Sequence, residues 1–227
     1  MKFAPLPRRR PRAVIFDMDG LMLDTERLAP RAWVNAAAAL GVEFDMALNK
    51  PMIGRNFRDC QAIINDHYGP GYPTAALMQA WHVAYDAIVA REGIVVKAGL
   101  WALLDWLDRE GIAKAVATST RRDRAQAKLA RTALLPRFGT LVGGDEVALG
   151  KPAPDIFLEA AVHLRQPAAE CFVLEDSEPG VRAALAAGMT PIMVPDLHRP
   201  SEALLAMQPL VLVSLEELPA RLAALPP

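Results

Sequence analysis

Residues 13–25 read AVIFDMDGLMLDT, and this stretch decides the fold. The apolar run that ends in Asp17 predicts a buried strand over 13–17. Residues 18–24 hold Gly20 and two more acids, which predicts a turn or a short hairpin. A buried strand has no reason to end in a carboxylate unless a site uses it, so we expect a functional edge here.

The segment that follows this strand predicts helices only. Between Thr25 and about Gly93 the pattern favours three helices, over 25–41, 55–68 and 74–91. The first of them takes Thr25 as its N-cap and stops at Gly41. Pro30 within it predicts either a kink or a later start.

Beyond Gly99 strands and helices alternate. This alternation predicts a parallel sheet with helices on both faces, an α/β fold with an all-helical insert after its first strand. The predicted strands are 112–118, 139–143, 171–175, 190–194 and 210–213. The predicted helices are 100–110, 121–135, 154–165, 178–187, 201–207 and 214–224.

Composition excludes several classes of protein. Of 227 residues, 52% are hydrophobic and 22% charged, which suits a globular enzyme and excludes a disordered chain. The net charge of −1 argues against a nucleic-acid-binding protein. Because no run reaches about 18 apolar residues, we expect no membrane span. Two cysteines form no disulfide framework, so a reducing, cytoplasmic location is expected.

The N-terminal segment carries a basic cluster, formed by Arg8, Arg9, Arg10 and Arg12. Such a cluster could touch an anionic partner. We favour a solvated tail that precedes the first strand.

Polar residues end three of the predicted strands, namely Asp17, Thr118 and Glu175. Ligands of open α/β sheets bind outside the carboxyl ends of the strands, so these ends are the place to look for a site. Asp17 and Asp19, at spacing two, leave the strand end on the same side. They could share one cation, or one could attack while the other handles a proton; a simple turn or cap is the alternative.

Two further motifs have both a functional and a structural interpretation. Thr118, Ser119 and Thr120 precede a basic helix, and hydroxyls at a helix N-terminus either bind an anion or cap the helix. Residues 150–152 read GKP and are not a P-loop, since Asp145 and Pro152 stand where that motif needs Gly and Ser or Thr.

Prolines around Lys151 predict a rigid loop that points one ammonium in a fixed direction. The alternative is an exposed surface lysine. We expect Asp155 to cap the helix that follows this loop rather than to act as a catalytic acid.

The last motif is Glu175-Asp176-Ser177. Hard divalent cations prefer oxygen ligands. A second acidic pair at the same sheet edge as Asp17 and Asp19 therefore predicts a Mg²⁺ site. N-capping of the helix from Glu178 explains Ser177 better than it explains the two acids.

In this order the four motifs resemble the haloacid dehalogenase-like superfamily. Its pattern is D-x-D-G, a Ser or Thr, a Lys and an acidic pair, each after a core strand. The resemblance covers Ala13 to about Val213. It implies a Rossmann-like catalytic core over 1–24 and 94–227 and a helical cap over 25–93. The relatives that it suggests are phosphatases of sugar phosphates and of other small metabolites, and β-phosphoglucomutase.

The resemblance also implies a role for each motif residue. Asp17 becomes the nucleophile that forms an aspartyl-phosphate, and Asp19 becomes the general acid and base. The implied Mg²⁺ ligands are Asp17, the backbone carbonyl of Asp19, and Asp176, with Glu175 as a direct or indirect ligand. The implied phosphate-binding groups are Thr118, the backbone at Ser119, and Lys151.

Single positions separate the activities of this superfamily. True dehalogenases need no metal and lack the second Asp of the first motif, so Asp19 and the pair Glu175-Asp176 argue against dehalogenation. Phosphonoacetaldehyde hydrolases use a cap lysine as a Schiff base. The predicted cap has one lysine, Lys50, so this activity is disfavoured.

A phosphohexomutase like β-phosphoglucomutase is the main alternative. The mutase pattern has a hinge histidine five residues after the position of Asp24, and this chain has Ala29 there. Residues 31–33, Arg-Ala-Trp, do match the mutase. We favour a phosphatase because the hinge histidine is missing.

Substrate choice is expected to lie in the cap. Gly54 and Arg55 lie in the stretch 52–56, which occupies the place of the family's specificity loop. Arg55 could reach a second anionic group or a sugar hydroxyl, or lie on a helix surface. Trp33 could line the pocket, although an aromatic residue at helical spacing also suits a core. The sequence thus predicts a monomeric Mg²⁺-dependent phosphatase of small phosphorylated metabolites, with sugar phosphates as the expected class and no nucleic-acid or membrane partner.

Overall fold

A computed structural model describes residues 9–226 of the chain. Their centre is a six-stranded parallel sheet with strand order β3-β2-β1-β4-β5-β6. The strands are β1 Ala13–Phe16, β2 Ala113–Ala117, β3 Thr140–Val142, β4 Cys171–Glu175, β5 Thr190–Met193 and β6 Leu210–Val211. The predicted α/β fold class is confirmed, and the order shows that β1 lies in the interior of the sheet.

Ten helices accompany the sheet within the described residues. Four lie in the segment 25–93, namely α1 Ala29–Leu40, α2 Asn49–Met52, α3 Phe57–Tyr68 and α4 Thr74–Glu92. The others are α5 Leu100–Arg109, α6 Arg122–Arg131, α7 Asp155–Leu164, α8 Glu178–Ala186, α9 Glu202–Leu205 and α10 Leu218–Ala223.

The side chains of β1 alternate between two apolar cores. Val14 and Phe16 pack into one core with apolar side chains of α5 and α10. Ala13 and Ile15 face the other way and pack with α7 and α8. Successive side chains of a strand point to opposite faces, so a strand covered by helices on both sides is apolar throughout.

The helical segment 25–93 has apolar clusters of its own. α1 packs along α4, and Trp33 joins Ile64 and Leu77 in one cluster. A second cluster joins Leu28 to Tyr85. The segment therefore buries its own apolar faces beside the sheet.

Two details of the sequence prediction are wrong. α1 begins at Ala29 rather than after Thr25, because Pro30 lacks the N–H that a helix interior needs and so belongs in a first turn. Asp155 is the first residue of α7 and not its cap, and its carboxylate suits the positive end of the helix dipole.

The basic N-terminal cluster is only partly described. Arg8 lies outside the described residues. Arg10 donates hydrogen bonds to the carbonyl oxygens of Leu225 and Ala223, each at 3.0 Å. Since these bonds tie it to the C-terminal segment, Arg10 is not part of a free tail.

A separate question is whether any element could cross a membrane. Among residues 9–226, no helix combines the necessary length with the necessary apolar character.

Candidate active site

The polar residues that end the predicted strands meet at one edge of the sheet. Asp17 follows β1, Thr118 follows β2, and Glu175 is the last residue of β4. β1 pairs with β2 on one side and with β4 on the other, and both pairs are parallel. The chain proceeds outward in opposite directions on the two sides of β1, and in open α/β sheets ligands bind at such a point.

Lys151 lies buried between two of the acids. Its Nζ donates to Asp17 Oδ1 at 2.5 Å and to Glu175 Oε1 at 2.6 Å. Burial acts to lower the pKa of Lys151, but attraction to these two carboxylates holds that pKa above its usual value. Burial raises the pKa of Asp17 to about 7, and the Lys151 ammonium acts in the opposite direction. The edge thus holds a fixed positive charge against Asp17.

Three carboxylates are crowded together here. Oxygens of Asp17, Glu175 and Asp176 lie within 4.8 Å of one another. Glu175 is fully engaged, because Lys151 binds one of its oxygens while the N–H and hydroxyl of Ser177 donate to the other at 3.0 and 2.8 Å. Burial and repulsion from Glu175 and Asp17 raise the pKa of Asp176 well above its usual value.

Asp176 is the acid whose charge is left uncompensated. Lys151 forms ion pairs with Asp17 and Glu175, whereas Asp176 has no ion-pair partner in the described part of the chain. A buried carboxylate that lacks a cation and lies beside two others suits a hard divalent ion with oxygen ligands. The residues present therefore fit Mg²⁺.

Gly20 lets the first turn approach the acidic pair. Its φ is +85°, a conformation that favours glycine. A Cβ at this position would lie 2.2 Å from Asp176 Oδ2. The D-x-D-G turn and the Glu175-Asp176 pair are thus in direct contact, and a side chain at position 20 would separate them.

Gly180→Ala is expected to destabilise the protein by about 1–3 kcal/mol, the usual effect of overpacking. A Cβ at position 180 would lie 1.8 Å from Glu175 Oε1, and Glu175 is 0% exposed and unable to move into solvent. Chemical denaturation measures the effect. Gly139→Ala is the control, because the space around Gly139 is open. Equal free energies of unfolding for the two variants would contradict the packing described here.

Asp19 accepts hydrogen bonds from three side chains. Thr25 Oγ1 and Lys128 Nζ both donate to Oδ1 at 2.6 Å, and Thr120 Oγ1 donates to Oδ2 at 2.7 Å. Burial acts to raise the pKa of Asp19, but Lys128 and the two hydroxyls lower it below its usual value. Thr25, expected to cap a helix, instead binds Asp19, which corrects its predicted role.

The hydroxyl motif after β2 forms bonds within the site. The Thr118 hydroxyl accepts from the backbone N–H of Thr120 at 3.2 Å. The Ser119 hydroxyl donates to the Gly54 carbonyl at 2.8 Å. Ser119 therefore ties the end of β2 to the loop between α2 and α3, which brings Gly54 beside the sheet edge.

A cavity of about 160 Å³ lies between this edge and the inserted helices. Asp17, Asp19 and Thr118 lie on its sheet side. Three residues proposed from the sequence as substrate-binding groups also line it, namely Trp33, Gly54 and Arg55. Trp33 is 4% exposed and stacks on Phe44, so it belongs to the apolar cluster as well as to the cavity wall.

The sequence analysis did not select several residues that line this cavity. The most prominent is Lys128, together with Tyr85 and His82 of α4. Burial lowers the pKa of His82 to about 4, so its imidazole is neutral near pH 7. One signal was available for Lys128, since it lies three residues after the buried Ala125 and therefore on the same face of α6.

Several known proteins are similar in sequence to this chain. The family model for haloacid dehalogenase-like hydrolases matches residues 11–188. The chain is 34% identical over 188 residues to a probable pseudouridine-5'-phosphatase from Drosophila melanogaster, covering 80% of each chain. It is 32% identical over 186 residues to a β-phosphoglucomutase from Bacillus subtilis, covering 78% of this chain and 80% of that protein.

A solved structure has the same fold. CbbY from Rhodobacter sphaeroides, crystallised in complex with phosphate, superposes with a TM-score of 0.80 and is 29% identical. The superposition covers 94% of this chain and 99% of that one. The family model spans most of the chain, and each of these two relatives is matched over 80% of its length. The chain therefore belongs to the haloacid dehalogenase-like hydrolases.

Proposed function

We propose that the chain is a Mg²⁺-dependent phosphatase that hydrolyses small phosphorylated metabolites, with sugar phosphates as the expected class, through an aspartyl-phosphate. The observation that carries this proposal is the placement of Asp17. It directly follows β1, lines the cavity, contacts the Lys151 ammonium and lies beside Asp176, which has no ion-pair partner among residues 9–226. The names of the relatives, a probable pseudouridine-5'-phosphatase and CbbY bound to phosphate among them, support phosphate chemistry.

In the first half of the proposed reaction a carboxylate oxygen of Asp17 attacks phosphorus. The bond between phosphorus and the substrate oxygen breaks, and Asp19 gives a proton to that oxygen, so that an alcohol leaves. In the second half Asp19 takes a proton from water, which attacks the aspartyl-phosphate. Inorganic phosphate leaves, and the Asp17 carboxylate is restored.

The remaining motif residues hold the transferred group. Thr118, the backbone at Ser119, and Lys151 would hold a phosphoryl group on Asp17. The ammonium is already fixed by Glu175, so it need not reorganise as negative charge develops. Glu175 thus orients Lys151 and Ser177.

Asp17, Asp176 and the backbone carbonyl of Asp19 would hold Mg²⁺. When bound, the ion offsets the repulsion between Asp17 and the phosphate and stabilises the charge of the transition state. Glu175 adds a further negative charge beside this site. Its two oxygens already accept hydrogen bonds from Lys151 and Ser177.

The helical segment 25–93 acts in this proposal as a cap over a core formed by 1–24 and 94–227. Trp33, Gly54 and Arg55 would contact the leaving alcohol, because they line the cavity. A closed cap excludes bulk water and positions the substrate. The cytoplasmic location and the monomeric state stay predictions.

One assay tests the proposed Mg²⁺-dependent release of phosphate. Purified protein is incubated with p-nitrophenyl phosphate and with a panel of phosphorylated sugars, nucleotides and glycolytic acids, with and without Mg²⁺. Release of phosphate that requires Mg²⁺ is the expected result. A protein that binds members of the panel but releases no phosphate would instead be a binding module on this fold.

A second assay separates hydrolysis from a mutase reaction. Ala29 lines the cavity and has no side-chain hydrogen-bonding group, whereas the mutase pattern has a histidine at this position. We expect water to reach the aspartyl-phosphate. With β-glucose 1-phosphate and a trace of glucose 1,6-bisphosphate, any reaction should release inorganic phosphate without accumulation of glucose 6-phosphate.

Efficient formation of glucose 6-phosphate without phosphate release would favour a mutase. A mutase is the alternative function because the chain is similar to a β-phosphoglucomutase. A chain with histidine introduced by Ala29→His is an informative comparison. Its ratio of phosphate release to transfer should fall if position 29 governs access of water.

A further inference from the structure

Lys128 is a charged residue of the site to which none of the recognised motifs assigns a role. It belongs to α6, and its side chain is 13% exposed. Its Nζ donates to Asp19 Oδ1 at 2.6 Å. A lysine that only served solubility would extend into water, because burial of an ammonium is unfavourable without a compensating partner.

A residue of the helical segment holds Lys128 from the other side. The ammonium lies 4.9 Å from the centre of the Tyr85 ring. Tyr85 is 4% exposed and stacks on Trp81, with 5.0 Å between ring centres. A cation over the face of a buried aromatic ring is attracted to it. Lys128 is therefore fixed between an acid of the core and a ring of α4.

A second pair joins the same two helices. Arg124, one turn before Lys128 on α6, forms an ion pair at 2.5 Å with Asp86, the neighbour of Tyr85 on α4. Two contacts, one turn apart on α6, thus join it to α4. The contacts that position α4 against the core therefore also position the Lys128 ammonium.

We infer that Lys128 is a positioning residue, which holds the Asp19 carboxylate in the orientation for proton transfer and is itself held in place by Tyr85. This inference rests on the proposed function, in which Asp19 moves the protons. The Asp19 side chain could rotate about its own bonds, and Lys128 and Thr25 together hold one of its oxygens. The Lys128 side chain has many rotamers. Contact with the Tyr85 ring restricts them further than the ion pair with Asp19 would by itself.

The test uses two phosphate esters that differ in their need for a proton. p-Nitrophenolate leaves without protonation, whereas the alkoxide of a sugar phosphate or of glycerol phosphate needs the proton that Asp19 supplies. Lys128→Met keeps the length of the stem and removes the ammonium. We expect kcat/KM to fall by about 10²-fold for the best alkyl phosphate and by about tenfold or less for p-nitrophenyl phosphate.

Two comparisons accompany this variant. Arg131→Met removes an exposed cation from the same helix and should leave both values unchanged. Tyr85→Leu should lower the alkyl phosphate value in the same direction. Combined with Lys128→Met it should add little, because the two residues act through one ammonium.

The outcomes distinguish this inference from the proposed function. If the wild-type chain is active and Lys128→Met loses kcat/KM equally on both esters, or not at all, the role inferred for Lys128 is overturned and the proposed function is not. A wild-type chain that hydrolyses neither ester would overturn the proposed function and this inference with it. If Lys128→Met does not fold, Lys128→Arg decides in its place, because a guanidinium does not reproduce the geometry of an ammonium. Its loss should again be larger for the alkyl phosphate, and equal losses would count against the inference.

Discussion

Replacement of Asp17 by asparagine is expected to abolish phosphate release while the fold remains. An amide has almost the shape of a carboxylate but does not attack phosphorus, so no aspartyl-phosphate forms. Lys151 keeps Glu175 as a partner, and the central strand is unchanged. We expect turnover to fall by about 10⁴-fold or more, the scale on which loss of a nucleophile acts.

The measurement is phosphate release on the best substrate of the panel, together with mass spectrometry of acid-quenched enzyme. The wild-type chain should show a phosphorylated species that Asp17→Asn lacks. Asp19→Asn should lose about 10²- to 10⁴-fold, since it removes the general acid and base. Asp66→Asn, on the exposed surface of α3, is the matched control. Retention of more than a few per cent of wild-type activity by Asp17→Asn would reject the assigned nucleophile.

The strands of the core were predictable because they are short, continuous apolar runs with polar ends. AVIF and CFVLE lie buried with helices on both faces, and no amphipathic alternation obscures them. The order of the strands was not predictable in this way. β1 and β4 pair although more than 150 residues separate them, and local pattern carries no information on such a pairing.

The site was predictable as far as its residues follow strands. The carboxyl ends of parallel strands share an edge, so Asp17, Thr118 and Glu175 were expected to meet. Lys128 was missed because a lone helical lysine usually marks a solvated face. The prediction that Thr25 caps a helix was wrong. A hydroxyl before a helix can either cap it or form a hydrogen bond with another side chain, and the position of Asp19 decides between the two.

Chelation with EDTA is expected to abolish turnover, and Mg²⁺ is expected to restore it. Asp17, Glu175 and Asp176 lie within 4.8 Å of one another, and Lys151 alone does not neutralise them. Ca²⁺ should restore activity poorly, because its coordination is larger and looser than that of Mg²⁺. A loose ligand shell would place the Asp17 carboxylate badly for in-line attack on phosphorus.

Thermal unfolding gives a second measurement that does not depend on turnover. An ion that binds only the folded chain stabilises it by about 2.7 kcal/mol at a concentration of 100 Kd, so Mg²⁺ should raise the melting temperature. Asp176→Asn should remove most of this increase, because Asp176 is the acid without an ion-pair partner among residues 9–226. Asp66→Asn should preserve the increase. Full activity after exhaustive chelation, or an unchanged response to Mg²⁺ in Asp176→Asn, would mean that Glu175 and Asp176 bind no metal and that Glu175 only anchors Lys151.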